Sequence, residues 1–174
     1  MRVFIACELP HSLLEALAET QAALRGSVPG RFVAPDSFHV TLAFLGSIEG
    51  YRVDDAIEAL ECACAEHEAF EAELGMLGAF GRRSTSNLWQ GFATTAAFEA
   101  LAHDVRKQLK AAGFSFDAKT FLPHVTLMRK ADVSGGELPM PCIARGTITT
   151  VTLFSSDLSG ERPVYEPLHR VNLT

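Results

Sequence analysis

Two periods alternate along this chain: apolar runs that are continuous or recur every second residue, which suit strands, and apolar positions three or four apart, which suit helices. Arg2 to Leu9 has the aliphatic and aromatic content of a buried strand, and Pro10 suits the first turn of a helix reaching Arg25, with Leu13, Leu14, Leu17 and Leu24 at helical spacing. Pro29 and Gly30 turn the chain into Arg31 to Ala34, and Pro35 and Asp36 interrupt before a strand over Phe38 to Leu45, stopped by Gly46. Asp54 and Asp55 open a second helix carrying Ala56, Ile57, Leu60 and Cys64 on one side, and Phe70 to Phe80 follows as a strand. The polar, basic stretch Gly81 to Asn87 reads as a hairpin loop into Leu88 to Ala93. A third helix covers Ala96 to Ala112, with Phe98, Leu101, Val105 and Leu109 along its core face, Lys107 and Lys110 near its C-terminal end, and Gly113 ending it. After Phe114 to Phe116, Lys119 to Pro123 leads into a strand ending near Arg129, and Ile143 to Phe154 and Pro163 to Leu173 supply the last strands. This order of elements predicts an α+β fold.

One tetrapeptide recurs inside that pattern. His-Val-Thr-Leu stands at His39 to Leu42 and again at His124 to Leu127, close to half the chain apart, each time in a predicted strand. Alternation puts His39 with Thr41, and His124 with Thr126, on one face of each strand, while the aliphatic pair packs on the other. We read this as an internal duplication of the strand and its helical neighbourhood. If the halves pack about a pseudo-twofold axis, the two histidine faces meet in a central cleft. Two imidazoles can supply a base and an acid, and two threonine hydroxyls can donate to an anion held between them, which suits phosphoryl chemistry. His11, His67, His103 and His169 lack any repeated partner, so solvated or capping roles suit them better.

Composition narrows the setting. With 174 residues, 48% of them hydrophobic, the chain can bury one core over 1–174, as a single domain or two intimately joined lobes. A net charge of −6 speaks against broad coating of duplex nucleic acid, which needs many neutralised phosphates, but leaves room for a local basic cleft. No segment is long and apolar enough to span a membrane, and no signal-peptide pattern opens the chain, so the expected place is the cytoplasm. Cys7, Cys62, Cys64 and Cys142 show no CxxC spacing and read as buried or incidental thiols. We expect a monomer with no obligate protein partner.

Neither His face carries an Asp or Glu, which weighs against a metal site, and no metal is expected. No GxSxG elbow, P-loop or GxGxxG fingerprint is present, so neither acyl chemistry nor a nucleotide cofactor has support, and no cofactor is expected. Strand parity from His124 sends Arg129 to the opposite face, toward a surface salt bridge, unless the strand twists, bulges or ends first. Trp89 and Phe44 could stack a base, although an aromatic beside aliphatics in a strand is more often core. Arg82 and Arg83 could guide an RNA end from their loop, although exposed arginine pairs are usually solvated.

The paired HxTx motifs, His39-Val40-Thr41-Leu42 and His124-Val125-Thr126-Leu127, resemble those that define the 2H phosphoesterase superfamily. Phe4-Ile5-Ala6, Leu9-Pro10, Phe44-Leu45-Gly46, Leu77 to Phe80, Leu88-Trp89, Phe121, Pro123, Arg129, Leu153-Phe154 and Tyr165 extend the resemblance end to end, toward the RNA 2',3'-cyclic phosphodiesterases, historically called 2'-5' RNA ligases. The resemblance implies a bilobal pseudo-twofold fold, two antiparallel-rich sheets lining a central cleft with helices packed outside. It implies RNA 2',3'-cyclic phosphate ends or cyclic nucleotides as substrates and metal-independent opening to a 2'-phosphomonoester. His39 would be proton donor to the departing 3' oxygen and His124 base toward water, with Thr41 and Thr126 on the phosphate oxygens and Arg129 on the phosphate; Phe44, as a stacking aromatic, is the further substrate-binding candidate. Ala43 and Leu122 depart from it, standing where basic or polar residues are usual, which would weaken contact with RNA backbone. Two other functions remain open: 2'-5' ligation by the same acid and base, and noncatalytic RNA or nucleotide binding.

Overall fold

A computed structural model describes residues 1–174. In chain order it holds β1 (Arg2–Cys7), α1 (His11–Arg25), β2 (Arg31–Phe32), β3 (Val40–Ser47), α2 (Val53–Cys64), β4 (Phe70–Arg82), β5 (Thr85–Phe92), α3 (Ala96–Ala111), β6 (His124–Ala131), β7 (Arg145–Ile148), β8 (Thr150–Asp157) and β9 (Val164–Asn172). Hydrogen bonds order β3-β1-β8-β9 in one sheet and β2-β6-β5-β4-β7 in a second, and every pairing is antiparallel. The α+β class is as the order of elements predicts, and the two antiparallel sheets are as the resemblance implies.

The repeated tetrapeptide has a repeated setting. In β1-α1-β3 and again in β5-α3-β6, the motif strand returns antiparallel beside the strand that precedes the helix. The helices cross over: α1 packs on β7 of the second sheet, while α3 packs on β3 of the first and on α2, which covers β8 and β9. Leu13, Leu17 and Leu24 of α1, and Phe98, Leu101, Val105 and Leu109 of α3, are buried as their spacing predicts. They join a connected core of 36 buried apolar side chains that includes Ile5 and Val151 of the first sheet and Leu88 and Val125 of the second. Because each helix anchors in the other half's sheet, the two motif strands are fixed relative to each other by packing on both sides.

Four boundaries differ from the sequence pattern. Gly81 to Asn87 is not a loop: β4 runs through Arg82 and β5 starts at Thr85, with Gly81 opposite Ser86 and Phe80 opposite Asn87. The strand ends reach beyond the core, so polar residues suffice there, and Ser86 satisfies its buried hydroxyl on the Arg82 carbonyl at 2.6 Å. The run Ile143 to Phe154 divides at Thr149, β7 joining the second sheet and β8 the first. Gly46 adopts φ +72 and lets β3 continue to Ser47 instead of ending it. The first motif strand starts at Val40 and not at Phe38, so that His39 stands just before β3, and the Asp117 amide bonds the Phe44 carbonyl at 3.1 Å and so covers the outer edge of β3.

Candidate active site

The same irregularity occurs in both motif strands. In β3, Ala6 faces Thr41 and Ile5 faces Ala43; in β6, Trp89 faces Thr126 and Leu88 faces Met128. Each motif strand thus has two residues against one on its partner, a β-bulge just after the threonine. Leu42 with Ala43, and Leu127 with Met128, are consecutive buried residues on the core side. The bulge resets alternation, so Phe44 and Arg129 return to the His and Thr face. It settles the parity question for Arg129, which lines the cleft with His124 and Thr126.

That cleft lies between the sheets and has a volume of about 940 Å³; His39, Thr41, His124, Thr126 and Arg129 all line it. Each imidazole is oriented the same way. His39 Nδ1 is 2.7 Å from the Ser37 carbonyl and His124 Nδ1 is 2.6 Å from the Leu122 carbonyl, in both cases two residues upstream. A carbonyl only accepts, so both Nδ1 atoms carry protons and both Nε2 atoms are left for chemistry. At His39 the Thr41 hydroxyl donates to Nε2 at 2.9 Å, whereas His124 Nε2 has no protein partner. Rings hold the imidazoles laterally: Tyr165 is edge-on to His39 at 5.4 Å, Phe80 is edge-on to His124 at 5.2 Å, and Trp89 lies 5.6 Å from His124. Trp89 lies over Gly78, where a Cβ would come within 2.3 Å of the indole, so only glycine admits this support.

Both imidazoles resist protonation. Burial pushes His39 down to about 4 despite the Ser37 carbonyl, and the Arg129 and His124 charges push the same way. Burial chiefly, then Arg129, also lowers His124. Burial first, and the Arg129 charge after it, thus favour the neutral form of both imidazoles, and an anion held between them would favour the protonated form.

The other sequence candidates fall as follows. Phe44 shares the His39 face but stacks on Phe4 at 6.5 Å beneath the Arg2 guanidinium, 4.5 Å from its ring centroid, and does not line the cleft. Ala43 is buried in its bulge, so its lack of charge takes nothing from the cleft wall. Arg83 donates to the Val133 carbonyl at 3.2 Å, and neither it nor Arg82 reaches the cleft. Residues given no role by the sequence also line it: Arg25 at the end of α1, Arg31 of β2, Phe80 of β4 and Asn87 of β5 on the side of the second sheet, and Arg162 from the turn between β8 and β9. Asp36 and Glu161 also line the cleft, so with Arg129 its four arginines face two carboxylates, and the lining is net positive in a chain of net charge −6. No three His, Cys, Asp or Glu side chains gather as metal ligands, and the cysteines are unbridged, Cys7 and Cys64 being buried. No helix is long and apolar enough to cross a membrane.

Known proteins resemble this chain in sequence and in fold. A model of the 2'-5' RNA ligase superfamily matches residues 9–137, which include both motifs. An RNA 2',3'-cyclic phosphodiesterase of Geobacillus stearothermophilus is 34% identical over 87% of this chain, which spans only 48% of that protein's length. One from Thermus thermophilus is 30% identical, covering 99% of this chain and 90% of its own. The crystal structure of E. coli LigT complexed with 3'-AMP superposes with a TM-score of 0.81 at 28% identity, covering 99% of this chain and 98% of LigT.

Proposed function

This chain belongs to the 2'-5' RNA ligase superfamily, and from that premise we propose that it hydrolyses the 2',3'-cyclic phosphate ends of RNA or nucleotides to 2'-phosphomonoesters. The observation that carries the reading is the pair of imidazoles, each with Nδ1 tied to a carbonyl and Nε2 turned to a cleft that Arg129 also lines. Relatives that carry the name RNA 2',3'-cyclic phosphodiesterase, and a LigT that takes 3'-AMP, support the substrate class.

In this reading His124 Nε2 takes a proton from water as its oxygen attacks phosphorus, and the bond from phosphorus to the 3' oxygen breaks. His39 Nε2 gives that oxygen its proton, leaving phosphate on the 2' oxygen. Thr41, Thr126 and Arg129 receive the nonbridging oxygens, where negative charge grows in the transition state. Base, acid and cation all come from the chain, so the reaction calls on no cofactor. We place the protein in the cytoplasm as a monomer, and treat the chain as one domain of two pseudo-symmetric lobes.

Incubation with a nucleoside 2',3'-cyclic phosphate in the presence of chelator, followed by phosphorus NMR, tests the reading. A 2'-phosphomonoester is expected. A dominant 3' product would reverse the substrate's orientation and exchange the roles of the two histidines, and absence of turnover on both cyclic nucleotides and cyclic-ended oligonucleotides would leave a binding module.

The depressed imidazoles make a second prediction. Acid catalysis needs one protonated histidine, whose population grows as pH falls toward the lowered values; base catalysis needs the other neutral, and fails below them. The kcat/KM profile should therefore be a bell centred below the ordinary histidine value of about 6.5, with limbs that belong to the pair. An optimum above pH 8 would contradict it.

A further inference from the structure

The bulges that aim Phe44 and Arg129 carry a shared feature outside the chemistry. A bulge disrupts its ladder, and here the first bulge residue presents a carbonyl to a side chain from the opposite half of the chain. Gln21 of α1 donates its Nε2 to the Leu127 carbonyl of β6 at 3.0 Å, and Arg106 of α3 donates its Nε to the Leu42 carbonyl of β3 at 3.0 Å. Leu42 and Leu127 are the same position of the repeated tetrapeptide. Each donor makes a second bond that ties the strand's outer flank. Gln21 Nε2 also reaches the Val33 carbonyl at 2.7 Å, just beyond β2, while Arg106 reaches the Lys119 carbonyl at 2.9 Å, in the segment leading to His124. Gln21 is 2% exposed on an apolar helix face, a place where an amide is costly unless its bonds are made.

We propose that Gln21 and Arg106 are positioning residues of the cleft, each holding the bulge of the opposite motif strand, and that Gln21 thereby fixes the direction of the Arg129 guanidinium. Leu127 lies two residues before Arg129, and the bulge between them is what returns Arg129 to the cleft face. Without the amide, the Leu127 carbonyl loses its side-chain partner and keeps the Val33 amide, at 2.9 Å. The bulge is then free to relax toward regular alternation, which carries Arg129 away from the phosphate. Arg106 acts on the other strand, which bears Thr41 and follows directly on His39, and its two bonds come from two different nitrogens of the guanidinium fork, which a lysine ammonium lacks.

The inference rests on Arg129 holding the reacting phosphate, so the test is a double-mutant cycle on hydrolysis of a 2',3'-cyclic phosphate. Gln21→Met should lower kcat by about 10- to 100-fold, the scale of a displaced positioning contact, with KM changed far less. In an Arg129→Ala background the same substitution should cost less than about 2-fold, since nothing is left for Gln21 to aim. Arg106→Lys should lower kcat equally in both backgrounds, because it works through the other strand. An undiminished Gln21 effect in the Arg129→Ala background would reduce Gln21 to a packing residue and overturn the inference. A nearly wild-type Arg129→Ala would instead overturn the phosphate role of Arg129. Gln21→Asn, which keeps the amide but is too short to reach both carbonyls, repeats the cycle with less disturbance should Gln21→Met fail to fold.

Discussion

Replacing His39 or His124 with Ala is expected to slow turnover of a 2',3'-cyclic phosphate by about 10²- to 10⁴-fold, the usual contribution of a positioned acid or base. Neither side chain belongs to the 36-residue core, and each makes a single bond to the backbone, so both variants should fold and keep the wild-type circular dichroism spectrum. The double variant should be little slower than the slower single one, because donor and base serve one displacement and the loss of either disables it. Thr41→Val and Thr126→Val should cost less, about 10- to 150-fold, the worth of a hydrogen bond to a charged group. Thr41 is the more complex case, since its hydroxyl bonds His39 Nε2 and would have to turn away from it to reach a phosphate. A folded His39→Ala or His124→Ala protein with near wild-type turnover would remove that residue from the mechanism, and a threonine variant as inactive as the histidine ones would give the hydroxyl a part beyond phosphate binding.

The pair of histidines, their threonines and the face they share were legible because the tetrapeptide is repeated whole and alternation within it is regular. Helices α1, α2 and α3 were legible for the same reason, a regular period over three turns or more. Arg129 was brought to the site by the resemblance and not by alternation, because parity counted from His124 through Arg129 passes a bulge. The signal lay in the sequence all the same: Leu42-Ala43 and Leu127-Met128 are adjacent apolar pairs at the same offset from each histidine, and two neighbouring core residues in an otherwise alternating strand mark a bulge. The run through Thr149 could not be divided by composition, since β-branched residues continue across the point where the chain leaves one sheet for the other. Arg25, Arg31 and Arg162 were missed for a different reason. They come from the end of α1, from β2 and from the turn between β8 and β9, and only the packing of those elements brings their charges to one cleft.

The bulge makes Arg129 the site's second large dependence. Arg129→Ala should lower kcat by about 10²- to 10³-fold, the loss expected when one preorganised donor to a developing oxyanion is removed. Arg129→Lys should recover only part of it, because an ammonium keeps the charge without the planar fork that can grip two phosphate oxygens. The same substitution carries a sign that a mere loss of packing would not. Arg129 adds to burial in lowering both imidazoles, so Arg129→Ala should let His39 and His124 hold their protons to higher pH. The kcat/KM bell should therefore move toward alkaline pH as its height falls, whereas Arg129→Lys, with charge retained, should leave the bell near its original position. Measuring kcat/KM between pH 4 and 9 for the three proteins separates the two contributions of this side chain. A fall in height with no movement of the bell would mean that Arg129 grips phosphate without governing the histidines, and an unchanged profile would mean that the guanidinium at the cleft wall takes no part in the reaction.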